Sequence, residues 1–243
     1  MEHASKILLP LRIGSFDFSI TTPVVWNLIA LGILLVFLFF VQRAMKKKSL
    51  VPNSYFQNLI EVSVEFIHQQ IIEPTGLDPK VWAPFIMSLF LYILFDDLVG
   101  IIPGATPATS NINETGILAL LVFVISLILR FRTKGILGFF KSLIPEGVGG
   151  PILIIIFPIE LISQLIKPIS LAVRLFANMS GGHLLLLTIL GFITMFGNVA
   201  VSIASIGGAV VIMLFEIFIG LIQAYVFAFL TALYIGESLA DSH

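Results

Sequence analysis

The stretch PILIIIFPIELISQLIKPISLAVRLFANMSGGHLL, residues 151–185, is mostly apolar, yet it carries an arginine, an asparagine and a histidine between Arg174 and His183. It opens an apolar region that continues to Ile235. About a quarter of the residues in a soluble domain are charged, whereas 11% of this 243-residue chain is charged and 58% is hydrophobic. The chain is therefore predicted to be an integral membrane protein.

Five apolar segments are long enough to cross a membrane, since a hydrocarbon core of ~30 Å needs about 20 residues. Three membrane helices are predicted before the last region, at 24–41, 82–102 and 115–130. A break at Gly197–Asn198 divides the last region into helices at 148–197 and 200–238. The second would be ~55 Å long, so the pair is expected to form a steeply tilted hairpin. The predicted fold class is an all-α integral membrane protein, one domain with residues 1–23 as an external tail.

Residues 53–74, NSYFQNLIEVSVEFIHQQIIEP, place polar side chains between apolar ones at helical spacing. They predict an amphipathic helix at 54–73 that lies in the membrane interface rather than crossing the membrane. Orientation follows from nine lysines and arginines in the loops 42–81 and 130–147, against none in 98–114. The positive-inside rule places the two basic loops in the cytoplasm and the N-terminus outside. Five crossings then put the C-terminus in the cytoplasm.

Three charged residues of the first long helix, Glu160, Lys167 and Arg174, are spaced seven apart and so share one helix face, with Asn178 about 40° away. An arginine at mid-membrane costs ~2.5–3.5 kcal/mol even on the insertion scale, and such residues are usually functional. Glu160 and Lys167 have a structural alternative, as a salt-bridged pair that locks the bundle.

The second long helix repeats this spacing with Glu216 and Gln223. In an antiparallel hairpin, one register brings Arg174 level with Gln223 and His183 level with Glu216, which predicts two polar layers. Each residue alone also has a purely structural explanation. His183 is explained as a packing residue, and Gln223 as a side chain that forms a hydrogen bond between helices.

Small residues recur every four positions on the second long helix, at Gly220, Ala224, Ala228 and Ala232. Such ridges let another helix approach closely. The approaching helix could belong to this chain or to a partner.

These segments resemble subunit a of the F-type ATP synthase over nearly the whole chain. The most specific parts are residues 151–185 and LFEIFIGLIQAYVFAFLTALYI, residues 214–235. The outer loop DDLVGIIPGATPATSNINET (96–115) and the inner loop TKGILGFFKSLIPEG (133–147) resemble the family less specifically. The C-terminal YIGES is similar to plastid and cyanobacterial tails.

The resemblance implies a role for each intramembrane polar residue. Arg174 matches the family's arginine, which separates two half-channels and faces carboxylates of the c-ring. The proton path would further comprise His183, Glu216, Gln223 and Asn178, with Glu160, Lys167 and Asp97 as additional candidates. Some family members carry the His183 and Glu216 residue types in the opposite order, and Asp97 stands where an Asn is usual.

The resemblance also implies how the subunit is used. Gly220, Ala224 and Ala228 would pack against the c-ring, and proton flow would couple ring rotation to ATP synthesis. The implied partners are the c-ring, subunit b of the peripheral stalk and the lipid bilayer, in the plasma (inner) membrane of a bacterium rather than an organelle. We expect no nucleic acid, nucleotide, cofactor or metal to bind this chain, and no catalysis on ATP itself.

Two other classes fit less well. A secondary transporter typically shows repeated halves with broken helices in both, whereas the charges here lie in one hairpin. An intramembrane hydrolase needs a nucleophile or a metal set, and the sequence lacks HExxH, GxSxG and P-loop motifs and has no cysteine.

Overall fold

The computed structural model describes residues 7–9, 12–13, 16–17, 19–45, 55–142 and 152–240. The tail holds four strands of two or three residues: β1 (Ile7–Leu9), β2 (Arg12–Ile13), β3 (Phe16–Asp17) and β4 (Ile20–Thr21). They pair antiparallel as β1 with β4 and β2 with β3. These strands are too short to alter the all-α class. The lysines at 46–48 and the expected helix starts at 54 and 148 lie outside the described residues.

Helix α1 spans Thr22–Met45 and packs against α3, Pro79–Gly100. The Phe37 and Phe95 rings lie 5.2 Å apart, and Tyr92 Oη donates to Asn27 Oδ1 at 3.2 Å. Asp78 starts α3 as an N-cap, because its carboxylate accepts the Lys80 N–H at 3.0 Å.

Between α1 and α3, the predicted interfacial helix is less regular than expected. Helix α2 spans Tyr55–Ile67, and a π-helical turn (His68–Ile72) and a 3₁₀ turn (Glu73–Thr75) follow it. Gly76 ends the helical turns with φ of 67°, a conformation that favours glycine. Ile71 and Ile72 are fully buried, so the end of this segment packs on the helix bundle.

Helix α4 spans Ile112–Ser142 and extends well past the predicted end at 130. The backbone leaves the helical conformation at Gly135, whose φ is 68°, so α4 consists of two helical segments joined at this glycine. The basic residues after 130 favour this extension, since cations near a helix C-terminus interact well with the helix dipole. The basic inner loop is therefore helical over much of its length.

The last two helices are α5 (Leu153–Phe196) and α6 (Val199–Leu239), of 44 and 41 residues. They separate at the predicted position: Gly197 has φ of 56°, and the Asn198 side chain caps α6 by accepting the Ala200 N–H at 2.9 Å. Each would be more than 60 Å long at 1.5 Å per residue. The steep tilt against a membrane remains a prediction.

Five helices of the described chain, α1, α3, α4, α5 and α6, are long and apolar enough to cross a membrane. The core forms where α3 and α4 pack on the hairpin. Ile86 and Ile93 of α3 and Phe227 and Ile235 of α6 are all fully buried there. The fold class is thus an all-α multi-pass membrane protein, and the hairpin is its longest feature.

Candidate functional site in the helical hairpin

Arg174 lies near the midpoint of α5 and is exposed on the surface of the protein. The adjacent residue of α5, Val173, is apolar and 48% exposed. Within the described residues, the guanidinium makes no hydrogen bond or ion pair. An unneutralised cation at mid-helix on an apolar surface needs an anionic or hydrated partner.

One helical turn beyond Arg174, Asn178 joins the two long helices. Its Nδ2 donates to Gln223 Oε1 at 2.7 Å. Gln223 is 3% exposed, and its Nε2 is buried without a hydrogen-bond partner in the described chain. The structure thus pairs Gln223 with Asn178, one helical turn from the predicted level of Arg174.

The second layer centres on Glu216, which packs against α5 at Gly182. A Cβ at position 182 would collide with Glu216 Oε1, so the glycine provides space for the carboxylate. His183 follows directly and is half-buried. Glu216 Oε2 is buried and accepts no hydrogen bond from the described residues. Because buried polar atoms are nearly always satisfied in proteins, this carboxylate is suited to exchanging a proton or binding water.

Asp97 of α3 packs against α6, where its Cβ is 3.2 Å from the position of a Cβ added to Gly220. Its Oδ1 accepts the Thr109 hydroxyl at 2.8 Å. The neighbouring Asp96 accepts the Thr109 N–H at 2.8 Å and the Ala108 N–H at 3.4 Å. Both carboxylates are buried, with Asp97 only 4% exposed. They hold the outer loop inward against α3.

Sequence reasoning missed this folded outer loop. Residues 98–114 read as an ordinary external connection, but Ala105, Ala108 and Thr109 are almost fully buried. Ser180 Oγ also donates to Ser110 O at 3.2 Å, which ties the loop to α5 beside the polar layers. The adjacent acids at 96 and 97 were the available signal, since two buried carboxylates require hydrogen-bond donors.

The structural alternative for Glu160 and Lys167, a salt bridge between the two, is not formed in the described chain. Lys167 Nζ instead contacts Glu237 Oε2 of α6 at 2.7 Å and lies 5.2 Å from the Tyr234 ring centre. Glu160 accepts the Gln164 amide at 3.1 Å. Two residues seven apart share a face but are separated by about 10 Å along the helix axis, so each finds a nearer partner.

The prediction that the small-residue ridge packs against a c-ring is contradicted by the burial of its side chains. Ala224, Ala228 and Ala232 are fully buried within the chain, and Gly220 packs against Asp97 of α3. Side chains with no exposed surface cannot form a contact with a c-ring. Gly220, Ala224 and Ala228 therefore allow close approach of a helix of the same chain, which is the internal alternative for this ridge.

No group of three His, Asp or Glu side chains within the described ranges could hold a metal ion. The polar side chains of the hairpin include single carboxylates, an imidazole, amides and a guanidinium. These groups accept, donate and stabilise charge inside an apolar bundle.

Fold and site together define a multi-pass membrane protein whose intramembrane polar groups lie mainly on one long hairpin. The family model of the ATP synthase A chain matches residues 24–236, so the chain belongs to that family. Membership of this family and the five apolar helices support ATP synthesis and proton or ion transport, in an F-type ATP synthase, as the process in which the chain takes part.

Individual relatives agree with this assignment. The chain is 38% identical to ATP synthase subunit a of Chloroherpeton thalassium over 98% of its own length and 71% of the relative. It is 39% identical to the subunit a of Hyphomonas neptunium, over 97% and 93% of the two chains. The subunit a of an Anaeromyxobacter species is 37% identical, and the chain spans 57% of that longer relative.

Proposed function

We propose that this chain translocates protons as subunit a of an F-type ATP synthase, with Arg174 separating two half-channels that open onto a c-ring. The observation that carries the proposal is the exposed Arg174 at the midpoint of a 44-residue apolar helix. A ring that presents carboxylates to this surface would supply the missing anion. The adjacent exposed Val173 fits an apolar partner surface around that charge.

The mechanism follows from the energetics of charge in lipid. A ring carboxylate that gains a proton becomes neutral, so it can turn into the bilayer at low cost. An ionised carboxylate is attracted to Arg174, whose positive charge also opposes a direct proton leak between the half-channels. One elementary charge gains only ~2.3 kcal/mol per 100 mV. Several protons must therefore pass for each ATP, which a ring of many subunits can provide.

The outer half-channel leads, in this proposal, past Glu216 and His183. The buried, unsatisfied Oε2 of Glu216 supports a proton-exchanging role, and an imidazole beside it passes protons near neutral pH. Asn178 and Gln223 lie between this layer and Arg174 and would shape the path. Asp97 extends the polar lining toward the folded outer loop.

The inner half-channel is proposed to open toward Glu160 and Lys167. Both lie between Arg174 and the start of α5, the end that the basic loops assign to the cytoplasm. Subunit b of the peripheral stalk and the c-ring are the proposed protein partners. The proposed location is the plasma (inner) membrane of a bacterium, since the relatives named above are bacterial proteins.

The test is ATP-driven ion pumping by the complete synthase in sealed vesicles, with and without sodium. We expect acidification that is independent of sodium and absent when this subunit is omitted from the complex. Co-purification of the c-ring with the chain is measured in parallel. Sodium-dependent pumping would overturn the choice of ion, and failure to retain the ring would instead favour a transporter that works alone.

A further inference from the structure

A cavity lies between α4, α5 and α6, well away from the Glu216 layer. Its volume is about 60 Å³, several times the ~10–15 Å³ that a single water requires by the same measure. Apolar side chains, mainly leucine and phenylalanine, form more than half of its lining, and its charged residues are Arg130, Lys167 and Glu237. The cavity therefore combines an apolar lining with a small number of charged side chains.

The cavity is lined by two cations and one anion, so one cation has no counter-ion in the lining. Lys167 is neutralised by Glu237 at 2.7 Å. Arg130 is half-buried, and its guanidinium has no hydrogen bond or ion pair in the part of the chain that the structure describes. A guanidinium has five N–H donors in a planar fork that matches phosphate and carboxylate oxygens. The chemistry that best fits the cavity beside Arg130 is a phosphate group.

The position of Arg130 along its helix agrees with a lipid phosphate. Helix α4 begins at Ile112 on the outer side, so Arg130 lies about 27 Å further along it at 1.5 Å per residue. That is close to the inner edge of a hydrocarbon core of ~30 Å. Phosphates of the cytoplasmic leaflet lie at this level.

The apolar side chains that line the cavity favour a lipid over a free phosphate ion. Leu161 and Leu165 line the cavity and are also 39% and 49% exposed on the outer surface of α5. The apolar wall therefore continues from the cavity to the surface that faces acyl chains. A free phosphate would gain nothing from such a wall, whereas an acyl chain would be buried against it.

We propose that this cavity binds an anionic phospholipid of the cytoplasmic leaflet, with its phosphate at Arg130 and an acyl chain along Leu161 and Leu165. The lipid would fill the junction between α4 and the hairpin. The cavity shares Lys167 with the proposed inner half-channel, but Arg130 has no part in that proposal. Loss of lipid binding in an Arg130 variant and loss of pumping are therefore separate results.

The experiment measures lipid binding to the full-length chain purified in detergent. Phosphatidylglycerol, phosphatidylcholine of the same acyl composition and inorganic phosphate are added separately, and bound lipid is counted by native mass spectrometry. The variant is Arg130→Gln. Arg132→Gln is the matched control, because Arg132 lies on the same helix, is exposed and does not line the cavity.

We expect Arg130→Gln to weaken phosphatidylglycerol binding by about tenfold, the loss of a charge-assisted hydrogen bond. Arg132→Gln should bind as the unmodified chain does, and phosphatidylcholine should bind weakly throughout. Equal losses in the two variants would overturn the site in favour of general surface charge. Displacement of the lipid by inorganic phosphate at equal concentration would overturn the lipid in favour of a free ion.

A third variant keeps the experiment decisive if Arg130→Gln does not fold. Arg130→Lys retains the charge but loses the planar fork. It should show the thermal stability of the unmodified chain without lipid and an intermediate affinity for phosphatidylglycerol. Affinity equal to that of the unmodified chain would contradict the proposed geometry.

Discussion

Two groups of polar residues, one in the outer loop and one on the hairpin, differ in whether their hydrogen-bonding groups have partners in the described chain. In the outer-loop cluster of Asp96, Asp97 and Thr109, both carboxylates accept hydrogen bonds from Thr109. In the hairpin layers, Glu216 Oε2 and Gln223 Nε2 are buried without partners among the described residues. Arg174 is likewise unneutralised on an apolar surface.

This difference separates residues that hold the fold from residues that act on something outside it. A buried polar group that is satisfied within the chain contributes to stability, whereas removal of its partner costs about 1–3 kcal/mol. A buried or intramembrane group left unsatisfied weakens the fold, so its presence indicates a ligand, a proton or a partner. Changes in the hairpin layers should therefore impair transport, and changes at Asp96 and Thr109 of the cluster should impair stability.

The largest expected effect is at Arg174. Arg174→Ala should abolish ATP-driven pumping and ATP synthesis in vesicles while leaving the amount of inserted subunit unchanged, because the guanidinium makes no hydrogen bond or ion pair with the described residues. Arg174→Lys should fail as well, since an ammonium lacks the reach and planar donors of a guanidinium. Normal pumping by Arg174→Lys would remove the separator role.

The next effect concerns His183 and Glu216. His183→Leu and Glu216→Leu should each slow proton flux without the complete loss expected at Arg174, because water can replace part of a relay. The double exchange His183→Glu with Glu216→His should recover part of the flux. Wild-type proton flux in both single variants would show that these residues serve only in packing between the helices.

Ala224 tests the inner face of the ridge. Ala224→Phe should lower the thermal stability of the purified subunit by about 1–3 kcal/mol or more, because the site is fully buried. Leu221→Phe is the control on the outer face, where Leu221 is 46% exposed. It should leave stability unchanged and weaken only ring assembly. If Ala224→Phe weakens ring assembly and leaves stability unchanged, the small-residue ridge is the surface that contacts the ring.

Asp96 tests the outer-loop cluster. Asp96→Asn keeps the shape of the side chain but weakens its bonds to the Thr109 and Ala108 N–H groups. We expect a loss of stability of about 1 kcal/mol and faster proteolysis of the outer loop, with flux per folded complex retained. A large fall in proton flux at unchanged stability would show that Asp96 belongs to the proton path.

The smallest effect is expected at Lys167 and Glu237. Their side chains are 27% and 40% exposed, so the ion pair should contribute only about 0.2–1 kcal/mol. Lys167→Glu and Glu237→Lys should each lower the melting temperature slightly, and the double exchange should restore it. Additive losses in the double variant would show that the pair does not interact.

The positions of the helices could be predicted from the sequence because they depend on local properties. Apolar length and the Gly197–Asn198 break predicted five membrane helices and the hairpin, and the structure has both. Seven-residue spacing placed Glu216 and Gln223 on one face of α6, since helical period is a property of neighbouring residues. Helix ends were less predictable, as α4 continues through the basic segment to Ser142.

Only the tertiary structure decided which groups meet. Lys167 pairs with Glu237 rather than Glu160, and Thr109 reaches back to Asp97 across the outer loop. The alanine ridge turns toward α3 and not outward. Hydropathy and period describe the faces of each helix but not which helix each face packs against. That choice depends on the joint packing of all the helices, where every buried polar group competes for partners distant in sequence.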